Sequence, residues 1–192
     1  MAGDVSIAAD RQHVWTALND PDVLRQCIPG CASVTREADN VLLAKVTARI
    51  GPIKAGFSGK VLLSELDPPN SYVISGEGSG GAAGFAKGSA AVKLTTVGSA
   101  TQLQYQVDAA VGGKLAQIGA RLIDSTARKM AEDFFAKFVE IAESTSAAAP
   151  ATETVAPAAP PSAPQSAQSG TRLLVVAALV LLAAAAAYYL SL

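Results

Sequence analysis

The sequence is poor in the residue types from which most catalytic and metal sites are built. Only 16% of its 192 residues are charged and 5% aromatic, and it has one histidine, His13, and two cysteines, Cys27 and Cys31. A structural zinc site takes four ligands, so these three residues do not complete one. His13 also has no clear titratable partner for acid–base work. We therefore predict no catalytic residue and no metal site.

A strong charge of either sign is also missing. The formal net charge is −1 and the sequence pI is about 5.8, which argues against binding to a nucleic-acid backbone. The mean hydropathy of +0.31 is high for a soluble domain, and the apolar residues are unevenly spread. The sequence divides into a globular domain over 1–146, an Ala/Pro-rich linker over 147–171 that we expect to be disordered, and an apolar C-terminal segment over 172–192.

The C-terminal segment has the properties of a membrane anchor. Eighteen residues from Leu173 to Leu190 carry no charge, and as a helix they span about 27 Å, close to the ~30 Å core of a bilayer. Arg172 precedes them, and Tyr188 and Tyr189 lie near the other end, where interfacial aromatics are common. The N-terminus has no signal-peptide pattern. We predict a single-pass protein of the cell membrane with its N-terminal domain in the cytoplasm.

The periodicity of the first segment predicts an α+β domain. A first strand over 3–9 is followed by short helices over 11–18 and 21–27, and then by strands over 32–37, 41–50, 53–66, 72–78, 85–96 and 101–111. From Lys114 to Glu143 the apolar period becomes helical. A curved antiparallel sheet of seven strands around one long C-terminal helix is the simplest way to cover the apolar faces.

Two interpretations of the interior remain open. Small residues on the sheet, with six glycines between 76 and 88, favour an apolar cavity for a lipid-like ligand. Close packing of helix against sheet, with glycine as a spacer, is the alternative. GEGSGG at 76–81 formally matches a dinucleotide-binding pattern, but no helix is predicted after it, so we interpret it as a glycine-rich hairpin or bulge. For Cys27 and Cys31 a structural role is the simpler interpretation, with a redox pair as the alternative.

Several segments of the first 143 residues together resemble one known family. They are CIPGC at 27–31, IGPIKAGFSGKVLL at 50–63, DPP at 67–69, GEGSGGAAGFAKGSA at 76–90, TQLQY at 101–105 and VGGKLAQIGARLI at 111–123. In this order they are similar to the carbon monoxide dehydrogenase G subunit (CoxG-like) family, of the START-like (SRPBCC) helix-grip superfamily. The resemblance implies a helix-grip fold and a non-catalytic accessory of a molybdenum-containing hydroxylase, typically carbon monoxide dehydrogenase, that brings this enzyme to the membrane.

The resemblance and the apolar interior together suggest a carried ligand. Electrons from such an enzyme pass to respiratory quinone in the bilayer, so an apolar cavity on a tether could deliver menaquinone or ubiquinone, with no tightly bound cofactor in the chain itself. The predicted cavity lining is Val46, Phe57, Val61, Ile74, Phe85, Leu103, Tyr105, Leu115, Ile118 and Leu122. The predicted cavity mouth is Ile28, Pro29 and Gly30. A ligand-free anchor or assembly factor, and a cyclase- or hydrolase-type helix-grip enzyme, are the alternatives.

Overall fold

The computed structural model describes residues 1–147. The linker beyond Ala147 and the predicted membrane anchor at Arg172, Leu173, Tyr188, Tyr189 and Leu190 lie outside the described residues. No helix within residues 1–147 combines the length and the apolar character that crossing a bilayer requires.

The described part is an α+β domain of seven strands and three α-helices. The strands are β1 (Ala2–Ile7), β2 (Cys31–Ala38), β3 (Val41–Ile50), β4 (Ile53–Asp67), β5 (Ser71–Ser79), β6 (Phe85–Val97) and β7 (Ala100–Gly112). The helices are α1 (Arg11–Leu18), α2 (Pro21–Cys27) and α3 (Ala120–Ala147), with short 3₁₀ turns at Gly81–Ala83 and Ala116–Ile118. This order confirms the predicted architecture.

All seven strands form one antiparallel sheet in the order β1-β7-β6-β5-β4-β3-β2. Six strands follow each other as hairpins, and β1 joins the far edge beside β7. Buried and exposed residues alternate along β3 and β4, so one face of the sheet is covered by the rest of the domain and the other is exposed to solvent. We call the covered face, which lies against α3, the inner face.

The two short helices begin where the sequence predicts. Asp10 caps α1 by accepting a hydrogen bond from the His13 backbone N–H at 2.9 Å. Asp20 caps α2 in the same way, with Pro21 as the first helical residue. The His13 ring also lies 3.0 Å, Nε2 to O, from the Ala142 carbonyl near the end of α3, which joins the first helix to the last.

The long helix begins later than predicted. Gly113 and Gly119 both have left-handed backbone angles, with φ of 75° and 97°, and this conformation interrupts a right-handed helix. The segment between them therefore forms only the 3₁₀ turn, and α3 starts at Ala120 rather than at Lys114. Leu115 and Ile118 consequently belong to a separate loop that leads into the helix.

The core between the inner face and α3 forms two clusters of buried side chains. The larger cluster surrounds Phe134 and Phe138, whose rings stack with centroids 6.0 Å apart. The smaller cluster lies at the other end of the helix and comprises Ala48, Phe57, Ala83, Leu115 and Met130. Along the sheet, α3 approaches β1 and β3 more closely than the central strands.

Candidate functional site

Most of the predicted lining residues lie on the inner face. Val46, Val61, Ile74 and Leu103 are buried in the larger cluster, and Tyr105 is partly buried against it. Phe57 and Leu115 belong to the smaller cluster, with Ile118 packed at its edge. The structure thus distributes the predicted set over two clusters rather than around one point.

Phe85 is placed on the opposite face of the sheet from the one predicted. Its side chain is 50% exposed, and it pairs with Ser79, an outward residue of β5. The parity of β6 explains the difference, because Ala86, Ala90 and Val92 are buried while Lys87 and Lys93 are exposed. Phe85 shares the parity of the two lysines, a signal that was available in the sequence.

Leu122 also differs from its predicted position, since its side chain is 40% exposed. A Cβ built on Gly51, in the turn between β3 and β4, would come within 2.5 Å of Leu122 Cδ2 and 3.6 Å of Ile118 Cγ2. These two apolar side chains therefore lie against the turn of the β3–β4 hairpin, at one end of the space between sheet and helix.

Three connections meet at this end of the domain. They are the β3–β4 turn, the β5–β6 loop over 80–84 and the β7–α3 segment over 113–119. The Leu115 N–H donates to the Ala83 carbonyl at 3.0 Å, and Gly84 approaches Gly112 and Gly113 so closely that a side chain at Gly84 would collide with them. We call this end, with the β3–β4 turn and the start of α3, the hairpin end.

The predicted mouth residues lie beside β3. Ile28 is buried in the larger cluster, Pro29 is half-buried and Gly30 is exposed. The Gly30 carbonyl accepts a hydrogen bond from Thr47 N–H at 2.8 Å, three residues before β3 ends at Ile50. This segment thus flanks one edge of the inner face near the hairpin end.

The centre of the inner face has almost no side chains. Gly59 of β4 pairs with Gly78 of β5, which pairs with Ala86 of β6. In the next inward row Gly76 pairs with Gly88. At about 3.4 Å per residue and 4.8 Å between strands, these two rows cover about 7 by 10 Å. We call this area the glycine floor (Gly59, Gly76, Gly78, Ala86 and Gly88).

Sequence analysis recognised the glycines between 76 and 88 but not that Gly76, Gly78 and Gly88 lie beside Gly59 on the inner face. The pairing register was the missing information, because it decides which residues of neighbouring strands lie side by side. Opposite the sheet, the buried face of α3 carries the small residues Ala127 and Ala131 as well as the larger Met130 and Phe134. Small residues therefore occur on both layers of the interior.

No Asp, Glu, Lys, Arg or His side chain within residues 1–147 is fully buried, although the Nε atom of Arg11 is buried without a hydrogen-bond partner. Within residues 1–147 the buried polar residue is Thr101, and its hydroxyl donates to the Ala9 carbonyl at 2.8 Å. No group of three or more His, Cys, Asp or Glu residues in this range is arranged to hold a metal ion. Cys27 and Cys31 are free thiols. Burial raises the pKa of the Cys27 thiol to about 12, so it stays protonated near neutral pH.

One buried polar group on the inner face has no partner. The Tyr72 side chain is 2% exposed, and its hydroxyl makes no hydrogen bond within the described part of the chain. Its ring meets that of Trp15 edge-on, with centroids 5.1 Å apart. Burial raises the pKa of this phenol well above its ordinary value, so the hydroxyl keeps its proton and is available as a donor.

The outer face has a different character. Its grooves are lined by charged and small or apolar residues together, and one of them has Lys60, Glu77, Lys87 and Asp108 beside Leu62 and Ala110. These grooves are open to solvent, whereas the side chains of the inner face are buried and apolar. The inner face is therefore the candidate site.

Comparison with models of known protein families identifies the family of this chain. The family model of the carbon monoxide dehydrogenase G subunit (CoxG) matches residues 3–142. The chain belongs to this family. Membership implies an accessory role for carbon monoxide dehydrogenase and an association with that enzyme. A search of curated proteins found no matching sequence.

Solved structures show the same fold. A conserved protein from Geobacillus kaustophilus is 30% identical, with a TM-score of 0.71 over 75% of this chain and 95% of that one. Ms6760 from Mycobacterium smegmatis is 18% identical, with a TM-score of 0.56 over 75% of this chain and 90% of that one. TTHA0849 from Thermus thermophilus is 12% identical, with a TM-score of 0.57 over 76% of this chain and 98% of that one. This CoxG family member thus has a helix-grip domain, as the resemblance implied.

Proposed function

We propose that this chain is a membrane-tethered accessory of a molybdenum-containing carbon monoxide dehydrogenase that recruits the enzyme and carries a respiratory quinone, menaquinone or ubiquinone, to it. The quinone lies between the inner face of the sheet and α3. The observation that carries this proposal is the glycine floor, an uncharged area about 7 by 10 Å at the centre of a buried apolar face. That area suits a flat one- or two-ring head group.

The chemistry of the interior supports a carrier rather than an enzyme. Electron transfer belongs to the quinone and to its enzyme, so the carrier supplies binding and orientation only. An apolar lining suits the isoprenoid chain of a quinone. The unpartnered Tyr72 hydroxyl is a further buried donor on the same face, but it lies four residues, about 14 Å of strand, from Gly76, so a ring on the glycine floor does not reach it.

The sequence outside the described residues supplies the tether in this proposal. The apolar run from Leu173 to Leu190 anchors the chain. The preceding linker reaches roughly 27 Å as a flexible coil and about 75 Å when extended. The domain therefore operates within tens of ångströms of the bilayer, on its cytoplasmic side.

A ligand-free anchor is the second candidate, and one observation favours it. The Phe134 and Phe138 rings, together with Phe135 stacked on Tyr105 at 4.8 Å, belong to the closely packed larger cluster between the sheet and α3. For a cyclase- or hydrolase-type enzyme the described residues offer no buried charged pair, and we do not propose one.

Reconstitution with the partner enzyme tests the proposal. The full chain is placed in quinone-containing liposomes, carbon monoxide dehydrogenase is added, and two quantities are measured: enzyme sedimenting with the liposomes, and quinone reduced by carbon monoxide. We expect the chain to increase both. Val180→Arg, which places a charge in the anchor at a cost of about 2.5–3.5 kcal/mol, should decrease both.

Substitutions on the two faces of the sheet separate recruitment from delivery. Leu103→Glu or Val46→Glu on the inner face should abolish quinone reduction and leave sedimentation unchanged, with folding verified by circular dichroism. Leu62→Glu is the matched control, because Leu62 is 44% exposed on the outer face. A folded inner-face variant that still supports the full rate of quinone reduction would leave the ligand-free anchor as the function.

A further inference from the structure

The hairpin end of the domain concentrates positive charge. Its four cations are contributed by different segments, two by the β3–β4 hairpin and two by the β7–α3 segment and the first turn of α3, and all are exposed: Arg49, Lys54, Lys114 and Arg121. Arg49 and Lys54 are paired across the hairpin. Within residues 1–147 none of the four makes an ion pair or a side-chain hydrogen bond. We call this set the basic rim.

No acidic residue lies in the segments that form this end. The sequence contains no Asp or Glu over 41–64, over 78–86 or over 109–123. The nearest acid along α3 is Asp124, which binds Arg128 with an O–N distance of 3.1 Å. The N-terminus of α3 also lies here, and its helix dipole adds partial positive charge.

The opposite end of the domain is acidic. Glu37 and Asp39 flank the β2–β3 turn, Glu65 and Asp67 precede the β4–β5 turn, and Asp20 caps α2 nearby. Cations lie beside several of these acids, since Lys60 pairs with Glu37 and Arg36 interacts with Asp39 and Asp20, whereas the cations of the basic rim have no acid beside them in the described part of the chain. A negatively charged surface would orient the domain with the basic rim inward.

Apolar side chains lie between the cations of the basic rim. These residues, which we call the apolar lip, are exposed or half-buried and come from the β3–β4 hairpin, the β7–α3 segment and the first turn of α3: Ile50, Pro52, Ile53, Ile118 and Leu122. Leu122, at 40% exposure, is among the large hydrophobic side chains that the domain leaves to solvent. Apolar residues bordered by Lys and Arg are the pattern of protein surfaces that enter the headgroup region of a membrane.

We infer that the hairpin end docks directly onto an anionic lipid bilayer, with the basic rim against the headgroups and the apolar lip inserted between them. Charge complementarity selects this partner, since each cation near an anionic leaflet strengthens the attraction about fivefold. Gly59 follows Pro52 by seven residues along the same hairpin, about 24 Å of strand, so the glycine floor itself stays outside the headgroup region when the hairpin end docks. The inference rests on the proposed membrane association of the chain but not on a carried quinone.

Lipid contact is measured with a probe on the full chain in vesicles. A Cys31→Ser background leaves Cys27, which is buried and protonated, as the remaining native thiol. An environment-sensitive fluorophore is attached at Pro52→Cys in the hairpin turn, or at Asn40→Cys in the turn between β2 and β3 at the opposite end. Gly56→Cys is a second site near the hairpin end, because a Cβ there meets nothing within 4 Å. Vesicles contain a brominated phosphatidylcholine quencher, with or without about one-third phosphatidylglycerol.

We expect the Pro52 and Gly56 probes to be quenched in phosphatidylglycerol vesicles, and the Asn40 probe to remain unquenched. Quenching should fall several-fold in pure phosphatidylcholine or in high salt, because both weaken the electrostatic attraction. Changing all four cations of the basic rim to Gln should abolish the quenching. The matched control changes four other exposed lysines to Gln, at the same change in net charge, and should retain it: Lys45, Lys87, Lys93 and Lys129.

Three outcomes would overturn the inference. The first is equal quenching of the Asn40 and Pro52 probes, and the second is unchanged quenching in the variant without the basic rim. The third is a change in the Pro52 fluorescence that occurs only when carbon monoxide dehydrogenase is added to chains in neutral vesicles. The last would assign the basic rim to the enzyme. Failure of the carrier proposal is recognised separately, because probe quenching does not depend on whether a quinone is bound.

Discussion

Replacing one glycine of the glycine floor by valine distinguishes a ligand cavity from a packed interior. Gly78 is buried, its neighbours in the adjacent strands, Gly59 and Ala86, are small, and its backbone is not left-handed. A valine at this position therefore has lateral room in the sheet. What it meets above the sheet depends on whether the space below α3 is free.

The two cases differ in the sign of the stability change. If the space is free, valine gains about 1 kcal/mol of strand preference over glycine and buries an apolar side chain worth about 1.5 kcal/mol or more. If the interior is already filled, overpacking costs about 1–3 kcal/mol. We expect Gly78→Val to be at least as stable as the native chain, with a Tm unchanged or higher by roughly 3 °C per kcal/mol.

Unfolding of the full chain in nanodiscs, followed by the fluorescence of Trp15, provides the assay. Trp15 is the only tryptophan and is 5% exposed. Gly88→Val is the matched control, since a Cβ at Gly88 would collide with the Asp108 carbonyl and lie 2.9 Å from Ala109 Cβ, and it should lower the Tm. In Gly78→Val quinone retention should fall about tenfold for each 1.4 kcal/mol of lost binding energy. If Gly78→Val is destabilised as much as Gly88→Val, the reasoning is refuted and the interior is packed.

Three further substitutions or reactions follow from the structure. Tyr72→Phe removes a hydroxyl without a partner, so the urea midpoint should stay equal or rise, and quinone retention should be unchanged because the glycine floor lies about 14 Å of strand away; a lower midpoint would reveal a hydrogen bond in the quinone-free protein. Burial raises the pKa of Cys27 to about 12 and raises that of the half-buried Cys31 as well. A thiol reagent at pH 8 should therefore modify Cys31 slowly and Cys27 only after unfolding, and rapid modification of native Cys27 would contradict its burial. Gly30 has a left-handed φ of 73°, and a Cβ there would collide with the Thr47 carbonyl. Gly30→Ala should therefore lower the free energy of unfolding in urea by at least about 1 kcal/mol. An unchanged urea midpoint would show that the backbone around Gly30 and Thr47 shifts at little cost.

The strands and the two short helices could be predicted from the sequence because their signals are local. Alternation of apolar and polar residues defines β3, β4 and β7, and Asp20 with Pro21 defines the start of α2. The predicted start of α3 was wrong because apolar periodicity already begins near Gly113. The left-handed backbone angles of Gly113 and Gly119 prevent a helix between them. Glycine at these two positions was the available sign of the break.

The candidate site was predicted less completely because it depends on pairing between strands. Val61, Ile74 and Leu103 lie on the predicted face, whereas Phe85 lies on the other, since the turn over 80–84 sets the phase of β6. The contribution of Gly59 and the missing partner of Tyr72 follow from register and from the three-dimensional surroundings. Neither is visible in the local pattern around each residue.

The most direct test of the account is to locate a photoreactive quinone on the full chain. An azido-quinone is incorporated into vesicles with the chain, irradiated, and the labelled peptides are mapped by mass spectrometry, with excess unlabelled quinone as competitor. We predict competed adducts on the inner face, in the peptides that contain Gly59, Ile74 and Phe134, and fewer of them in Gly78→Val. Adducts confined to the apolar segment over 173–190, with none on the inner face, would contradict the proposal that this domain carries a quinone.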